Sequence, residues 1–451
     1  MPLKKLIYLS QIIFLINSQA AMAWDPPDKV SLEEIQRTTD KVMASPAFPI
    51  TESEDIFRIK AVGMDWDIGV RIYEPNDQTR IPVGPDGKKR GIFLIHGGTG
   101  DWRSLDQVAR LASERFGYKV VSMTFPGRLN LDDPSRNWPR DTFNDDGNHR
   151  TPMWLKGEVI TADQYEVVMD KGDESTGVPA RYGTSIFLKA KEGTTFYNRM
   201  GGWPAAFEEG MKTAISRHFP ASSYNVYAHG HSTGGPFIHY ISQRVDNLKG
   251  IVGYGTAMFG YINNAAGSAF EYPFNYLRLR TWRDTARYAD EGWTDKDYSL
   301  PQKMEMVFEA WDQAKKQPNF KAEDFIHKNA VASLADGARA AASRMGLEDE
   351  ETQSLVERYV GYTRELRGPG IKPVPPVLHI NGIGDKTVTY ERYTEYGKKM
   401  YEAMTPPPKT HAILFGAGVH SWNFKDDVIP HGIAPAVIAM WNEAIRGGYF
   451  D

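Results

Sequence analysis

The stretch that most constrains this 451-residue chain is Tyr224 to Tyr240, YNVYAHGHSTGGPFIHY. Asn225 to Ala228 reads as a buried strand and Gly235 onward as a helix, with Gly230-His231-Ser232-Thr233-Gly234 between them. A serine on so tight a strand-to-helix turn takes strained backbone angles. Side chains two residues to either side would collide, so both places require glycine. The hydroxyl is then held out at the end of a sheet, at the positive end of a helix. A glycine-rich turn that merely contains a serine is the plain alternative, and the rest of the chain has to decide between the two.

Around this turn the chain alternates strands and helices, as in a parallel sheet covered on both faces. Asp55 to Met64 and Trp66 to Tyr73 alternate polar and apolar residues, the pattern of an antiparallel pair with one buried face. Gly91 to Ile95 is a short apolar run ending in His96-Gly97-Gly98-Thr99-Gly100. Helical spacing follows over Leu105 to Phe116, then a second apolar run over Lys119 to Phe125. Strand, helix and strand within so short a span make a right-handed crossover. After the elbow the same rhythm predicts helix Pro236 to Val245, strand Gly250 to Tyr254 and strand Val377 to Asn381. It ends with helix Glu391 to Met404, strand Thr410 to Phe415 and helix Ile433 to Arg446.

Two long stretches break the rhythm. Residues 127–200 are polar and rich in Asp, Asn and Gly, with short candidate strands at Gln164 to Met169 and Ser185 to Ala190; the helix before the elbow strand is placed at Pro204 to Arg217. Residues 256–376 carry helical patterns at Tyr276 to Arg287, Gln302 to Gln317, Lys328 to Arg344 and Glu350 to Arg367, and no convincing strand. Such a helical block between two strands of a sheet reads as a cap. The organisation expected is a signal peptide at 1–23, an N-terminal arm with one short helix at 24–54, and core at 55–255 with its insertion at 127–200. The cap at 256–376 and core at 377–451 follow.

The signal peptide rests on Lys4 and Lys5, the apolar run Leu6 to Ile16 and the small-x-small site Ala21-Met22-Ala23, which together predict export to a periplasm or beyond the cell, with a mature start near Trp24. No other run is long enough to cross a bilayer, so no stable membrane insertion is expected. A formal net charge of −4, and no basic run beyond Lys88-Lys89-Arg90, give no electrostatic reason for a nucleic-acid partner. The chain has no cysteine, which excludes thiol catalysis and fits an exported protein that relies on a large core instead of disulfides. The oligomeric state is not legible in it.

A serine hydroxyl is a poor nucleophile at neutral pH and needs a base within hydrogen-bond reach, itself oriented by a third group. Two candidates stand just beyond strand ends: Asp385 in VLHINGIGDKTV and His420 in AILFGAGVHSW. Groups that follow the carboxyl ends of different strands converge on one edge of a doubly wound sheet, so separation in sequence is no obstacle. Asp426, Asp427, His411 and His431 fit less well by position. Acyl transfer also needs donors for the developing oxyanion. The Thr233 N–H is one candidate, and the other comes from His96-Gly97-Gly98, with Gly98 favoured and Gly97 or Thr99 open. Trp102, His231 and Trp422 are candidates to line the acyl pocket, against the alternative that the aromatic residues pack the core. His229 and His231 lack the companion carboxylate spacing of a metal site, so no metal is expected. Arg278, Arg280 and Arg283, at helical spacing, read as a solvated face rather than a carboxylate site.

The ordered set, HGG after the third strand, G-H-S-T-G after the fifth, G-x-x-D (Gly382 to Asp385) after the seventh and a histidine after the eighth, resembles the α/β-hydrolase superfamily. The resemblance covers nearly all of the mature chain apart from the two insertions. It implies a mostly parallel, doubly wound α/β sheet, to which the helical block at 256–376 adds a large cap, and it implies a Ser232-Asp385-His420 triad, an acyl-enzyme route, no metal and no cofactor. It does not choose a substrate. A small-molecule carboxylic ester of medium size and partly apolar character is expected, with peptidase, amidase, lactone or carbon–carbon hydrolysis as alternatives of the same fold. A binding protein without chemistry remains the third class, although no part of the triad or elbow is broken.

Overall fold

The computed structural model describes residues 24–61, 63–97, 101–129, 151–170, 172–173, 178–179, 185–191, 193–232, 234–256, 276–279, 313–321, 348–351, 353, 372–385, 388–402, 406–420 and 431–451. The signal-peptide, Arg280 and Arg283 readings lie outside these residues, as does most of the predicted cap.

The chain opens with β1 (Lys29–Val30) and α1 (Leu32–Ala44), then the antiparallel pair β2 (Ile50–Ala61) and β3 (Met64–Pro75). Next come β4 (Lys89–Ile95), α2 (Asp106–Phe116), β5 (Lys119–Met123) and, in the polar insertion, β6 (Tyr165–Asp170), β7 (Gly172–Asp173), β8 (Val178–Pro179) and β9 (Ser185–Ala190). The core resumes with α3 (Thr195–His218), β10 (Tyr224–Gly230), α4 (Gly234–Ser242) and β11 (Leu248–Tyr254). After β12 (Tyr276–Leu279) it closes with β13 (Val377–Gly382), a helical run over 390–402, β14 (Thr410–Phe415) and the terminal helix Ala434–Arg446. Nine strands form one sheet in the order β1-β14-β13-β11-β10-β4-β5-β3-β2. Every neighbouring pair from β1 to β5 is parallel, and β3 alone runs against the rest. Setting β1 aside, this is the strand order and connectivity of the α/β-hydrolase fold.

Successive side chains of a strand point to opposite faces, which divides the core in two. Ile92, Leu94, Val120, Tyr227, Val252, Leu378 and Ile380 face α2 and the terminal helix, whose Val437, Ile438, Trp441 and Ile445 are fully buried. On the other face α3 lies against Ile68 and Met123 at Gly210, and Phe207 stacks on Phe237 of α4 with centroids 4.1 Å apart. Both faces of the central strands are therefore covered, which is why they read as continuous apolar runs.

Four differences from the sequence reading have physical causes. The N-terminal arm contributes β1 to the sheet, with Val30 opposite Phe415 and its carbonyl accepting from Gly416 N–H at 2.8 Å. Two residues are too short a run to show periodicity. α1 follows at once, started by a capping box in which Ser31 and Glu34 satisfy each other's backbone N–H. α3 begins at Thr195, well before Pro204, because the Thr194 hydroxyl caps it by accepting from Tyr197 N–H. Pro204 is therefore an interior residue lacking one helical hydrogen bond, not the helix start. In the run over 390–402 the chain widens to a π-helical turn at Tyr393–Gly397 between short α-helical pieces, where one unbroken helix was expected.

The fourth difference joins the two insertions. Tyr276–Leu279 is a strand, not the start of a helix, and pairs antiparallel with β9, which pairs in turn with β6. Tyr-Leu-Arg-Leu satisfies a period of two as well as a helical one, and a partner strand contributed by the other insertion decides between them. Arg278 therefore sits in a strand, opposite Phe187. The first part of the polar insertion is held to the sheet: Trp154 accepts from Asp67 N–H at 2.8 Å, Lys156 N–H donates to the Asp67 carboxylate at 2.7 Å, and the Trp154 ring meets Trp66 edge-on at 5.5 Å.

Candidate active site

At the carboxyl end of β10 the backbone turns from strand to helix within four residues. Ser232 has φ +48°, and among the described residues it is the one non-glycine residue with positive φ. That conformation costs an L-residue roughly 1–2 kcal/mol. It is held by three hydrogen bonds: His231 N–H to Ile95 O at 2.9 Å, Ser232 N–H to Gly255 O at 2.9 Å, and Gly235 N–H to Ser232 O at 2.9 Å. The flanking glycines are required by contact. A Cβ on Gly230 would lie 2.2 Å from the Gly234 carbonyl oxygen, and one on Gly234 would lie 2.6 Å from that of His96.

The loop after β4 lies against this turn. Gly97 has no room for a side chain, since a Cβ there would meet His231 Nδ1 at 2.9 Å and Ser232 Cβ at 3.3 Å. His96 anchors the loop from below: its Nε2 accepts from Phe125 N–H at 3.0 Å, its Nδ1 faces Gly97 O at 2.7 Å, and its ring stacks on Phe125. Burial, with Arg128 second, pushes this histidine well below its usual pKa, so it is neutral, with the proton on Nδ1. Gly98, Thr99 and Thr233 lie outside the described residues, and so does Trp422.

Asp385 and His420 meet beside the elbow. Asp385 is 3% exposed; its Oδ1 accepts from Val388 N–H at 2.8 Å and its Oδ2 faces His420 Nδ1 at 3.1 Å. A carboxylate only accepts, so a His420 proton sits on Nδ1, the nitrogen that faces Asp385. The His420 side chain is 23% exposed, accessible to a ligand. Among the described residues Ser232 Oγ makes no hydrogen bond to His420. Gly255, φ +55°, joins the parts: its carbonyl accepts from Ser232, and a Cβ there would meet His420 O at 2.8 Å, His231 Nε2 at 3.4 Å and Asp385 Oδ2 at 3.5 Å.

Of the remaining candidates, His231 turns its Nε2 toward His420 O at 2.8 Å, with the two rings 4.8 Å apart. Burial first, and the neighbouring His420 second, push its pKa down to about 4. Trp102 is fully buried, its ring over Gly69 of β3 and its carbonyl accepting from Ser122, as a core residue is. His411 lies at the start of β14 with Nε2 facing Pro27 O, and His431 is exposed. His229 is buried, with Nδ1 facing Val252 O at 3.0 Å, and no metal-binding cluster occurs among the described residues.

Sequence reasoning missed Gly255 and Tyr254. From the end of β11 the site takes Gly255, a backbone without a side chain, and the Tyr254 hydroxyl, which donates to Val419 O in the loop of His420. A glycine directly after a buried strand is the signal available in the sequence.

No family model matches this chain. No curated protein matches it either. Solved structures do. An S-formylglutathione hydrolase from Agrobacterium tumefaciens is 13% identical over 90% of this chain and 98% of its own, with a TM-score of 0.39. A thermostable esterase from Pseudomonas putida is 12% identical over 94% and 91%, TM-score 0.33, and a bacterial membrane phospholipase A 13% identical over 92% and 91%, TM-score 0.32. The fold is read from the strand order and not from these likenesses.

Proposed function

We propose that this protein is an exported serine hydrolase that cleaves a carboxylic ester through an acyl-enzyme on Ser232. The observation that carries the reading is the His420 Nδ1 to Asp385 Oδ2 contact at 3.1 Å, made beside a serine held at φ +48°. In this reading His420 Nε2 takes the hydroxyl proton as Ser232 Oγ attacks the ester carbonyl. Asp385 keeps the imidazole in the required tautomer and stabilises the imidazolium that forms. The oxyanion is received by the Thr233 N–H and by one from Gly98 or Gly97, the latter lying against Ser232. The imidazolium then protonates the departing alcohol. Water repeats the sequence on the acyl-enzyme, releasing the acid and restoring Ser232.

Ester is preferred to amide because an ester carbonyl receives less resonance donation than an amide carbonyl and is the more reactive acyl donor to a serine, and the two long insertions support a soluble, medium-sized, partly apolar substrate. The basic, apolar and small-x-small order of residues 1–23 supports export. Intact-mass analysis after fluorophosphonate treatment of protein purified from an exporting host tests both. We expect a mature mass starting near Trp24 and a single adduct that is absent from Ser232→Ala. An adduct that survives Ser232→Ala, or none on the folded wild type, overturns the nucleophile. Matched ester and anilide substrates then separate esterase from amidase, with the ester expected to turn over faster.

A further inference from the structure

We propose that His231 and Tyr254 are positioning residues for His420, gripping the backbone of its loop from the elbow and from the end of β11. The inference rests on the serine-hydrolase reading above and goes beyond it.

The histidine loop leaves β14 at Phe415, and three successive carbonyls in it are each met by a different donor. Gly418 O accepts from Gly384 N–H at 2.9 Å, Val419 O from the Tyr254 hydroxyl, and His420 O faces His231 Nε2 at 2.8 Å. These donors belong to the turn that carries Asp385, the sheet strand next to the elbow, and the elbow itself. Three consecutive grips, one from each part, register His420 at once against its acid and its nucleophile.

The chemistry of each donor suits a fixed role. A carbonyl oxygen only accepts, so the hydrogen of His231 lies on Nε2. The groups facing that ring are His420, the Asp385 carboxylate, and beyond them His229 and His96. Burial keeps His231 neutral at neutral pH, so it holds one tautomer and does not compete as a base. The Tyr254 hydroxyl is wedged where a Cβ on Gly382 would lie 2.8 Å away and one on Gly418 2.6 Å away. Burial, then Asp385, raises its pKa well above the usual value, so it remains a donor. A phenol in so narrow a slot cannot follow the loop elsewhere.

The test compares Tyr254→Phe, His231→Phe and His231→Gln with wild type and Ser232→Ala. It reads the fluorophosphonate labelling rate per folded molecule, kcat and KM on a soluble ester, and Tm. Small displacements of a catalytic base are costly, and we expect Tyr254→Phe and His231→Phe each to slow labelling and kcat about tenfold with KM little changed. His231→Gln, whose amide places an N–H near the position of Nε2, recovers most of that rate. Wild type that labels at Ser232, with both Phe variants labelling at its rate while melting lower, overturns the proposal and leaves the hydrolase reading standing. Wild type that takes no label, or a label kept by Ser232→Ala, overturns both.

Discussion

The nucleophile elbow and the histidine loop are both turns that follow a parallel strand, yet they are specified in opposite ways. At the elbow the steric demand is local, with Gly230 pressed against the Gly234 carbonyl, and the positive φ at Ser232 falls within that short motif although Ile95 and Gly255 also help to hold it. The loop from Gly416 to His420 has one local determinant of its own, Gly418 at φ +98°. It takes the rest of its shape from Gly384, Tyr254, His231 and Asp385, the farthest of them 189 residues away. A local turn announces itself as a motif, whereas a turn shaped from outside leaves only a histidine after a strand.

The sharpest way to break the comparison is at the acid. In Asp385→Asn the side-chain carbonyl still accepts from Val388 N–H, so the amide NH2 faces His420 Nδ1 and forces the proton onto Nε2. The serine then has no base, and kcat on a soluble ester is expected to fall by about 10⁴, with the fold retained by circular dichroism. An Asn variant within tenfold of wild type would remove Asp385 from the constellation.

The two turns should respond differently to an added methyl group. Gly230→Ala puts a Cβ into the Gly234 carbonyl oxygen, a clash with backbone that no side chain can relieve. We expect a loss of about 3 kcal/mol in urea unfolding, since overpacking a tight site costs stability before anything else. Gly255→Ala meets His420 O instead, at 2.8 Å, on the loop shaped from outside. Here the loop yields, and the expected result is a kcat about 10²-fold lower with a smaller loss of stability, read from the same two assays. If Gly255→Ala loses stability and keeps kcat, the loop is stiffer than its contacts imply.

That asymmetry also sets what could be read in advance. The eight core strands, and the positions of Ser232, Asp385 and His420 just beyond strand ends, were legible because each rests on a local pattern, an apolar run followed by a turn. Gly97 was legible as part of a motif, although its contact with Ser232 Cβ was not. Tyr254, Gly255 and the turn of His231 toward His420 were illegible because each acts on a residue far away in sequence. β12 was illegible for the same reason: Tyr276 to Leu279 fits two periodicities, and β9, which decides between them, lies in the other insertion. Pro204 misled because a local rule about helix starts was outweighed by the Thr194 cap.

The smallest expected effect lies beneath the loop, where neutral histidines are packed into the core. His379 is buried at the middle of β13 and stacks on Tyr393 at 4.1 Å; burial pushes its pKa down to about 3. The unfolded chain binds that proton near pH 6.5 and the native state does not, so the unfolded state gains protons first as pH falls. Stability therefore drops below about pH 6.5 and keeps dropping toward pH 3, by about 2 kcal/mol per such histidine between pH 7 and pH 5. His239, pushed to about 4 by burial, adds to the same slope. His379→Phe keeps a ring on Tyr393 and removes the titration. Urea unfolding at pH 7 and pH 5 is expected to show near-equal stability for the two proteins at pH 7, and about 2 kcal/mol less loss for the variant at pH 5. An unchanged pH 5 loss would mean that His379 takes up its proton in the folded protein, and that the sheet under the histidine loop is more open to water than its packing indicates.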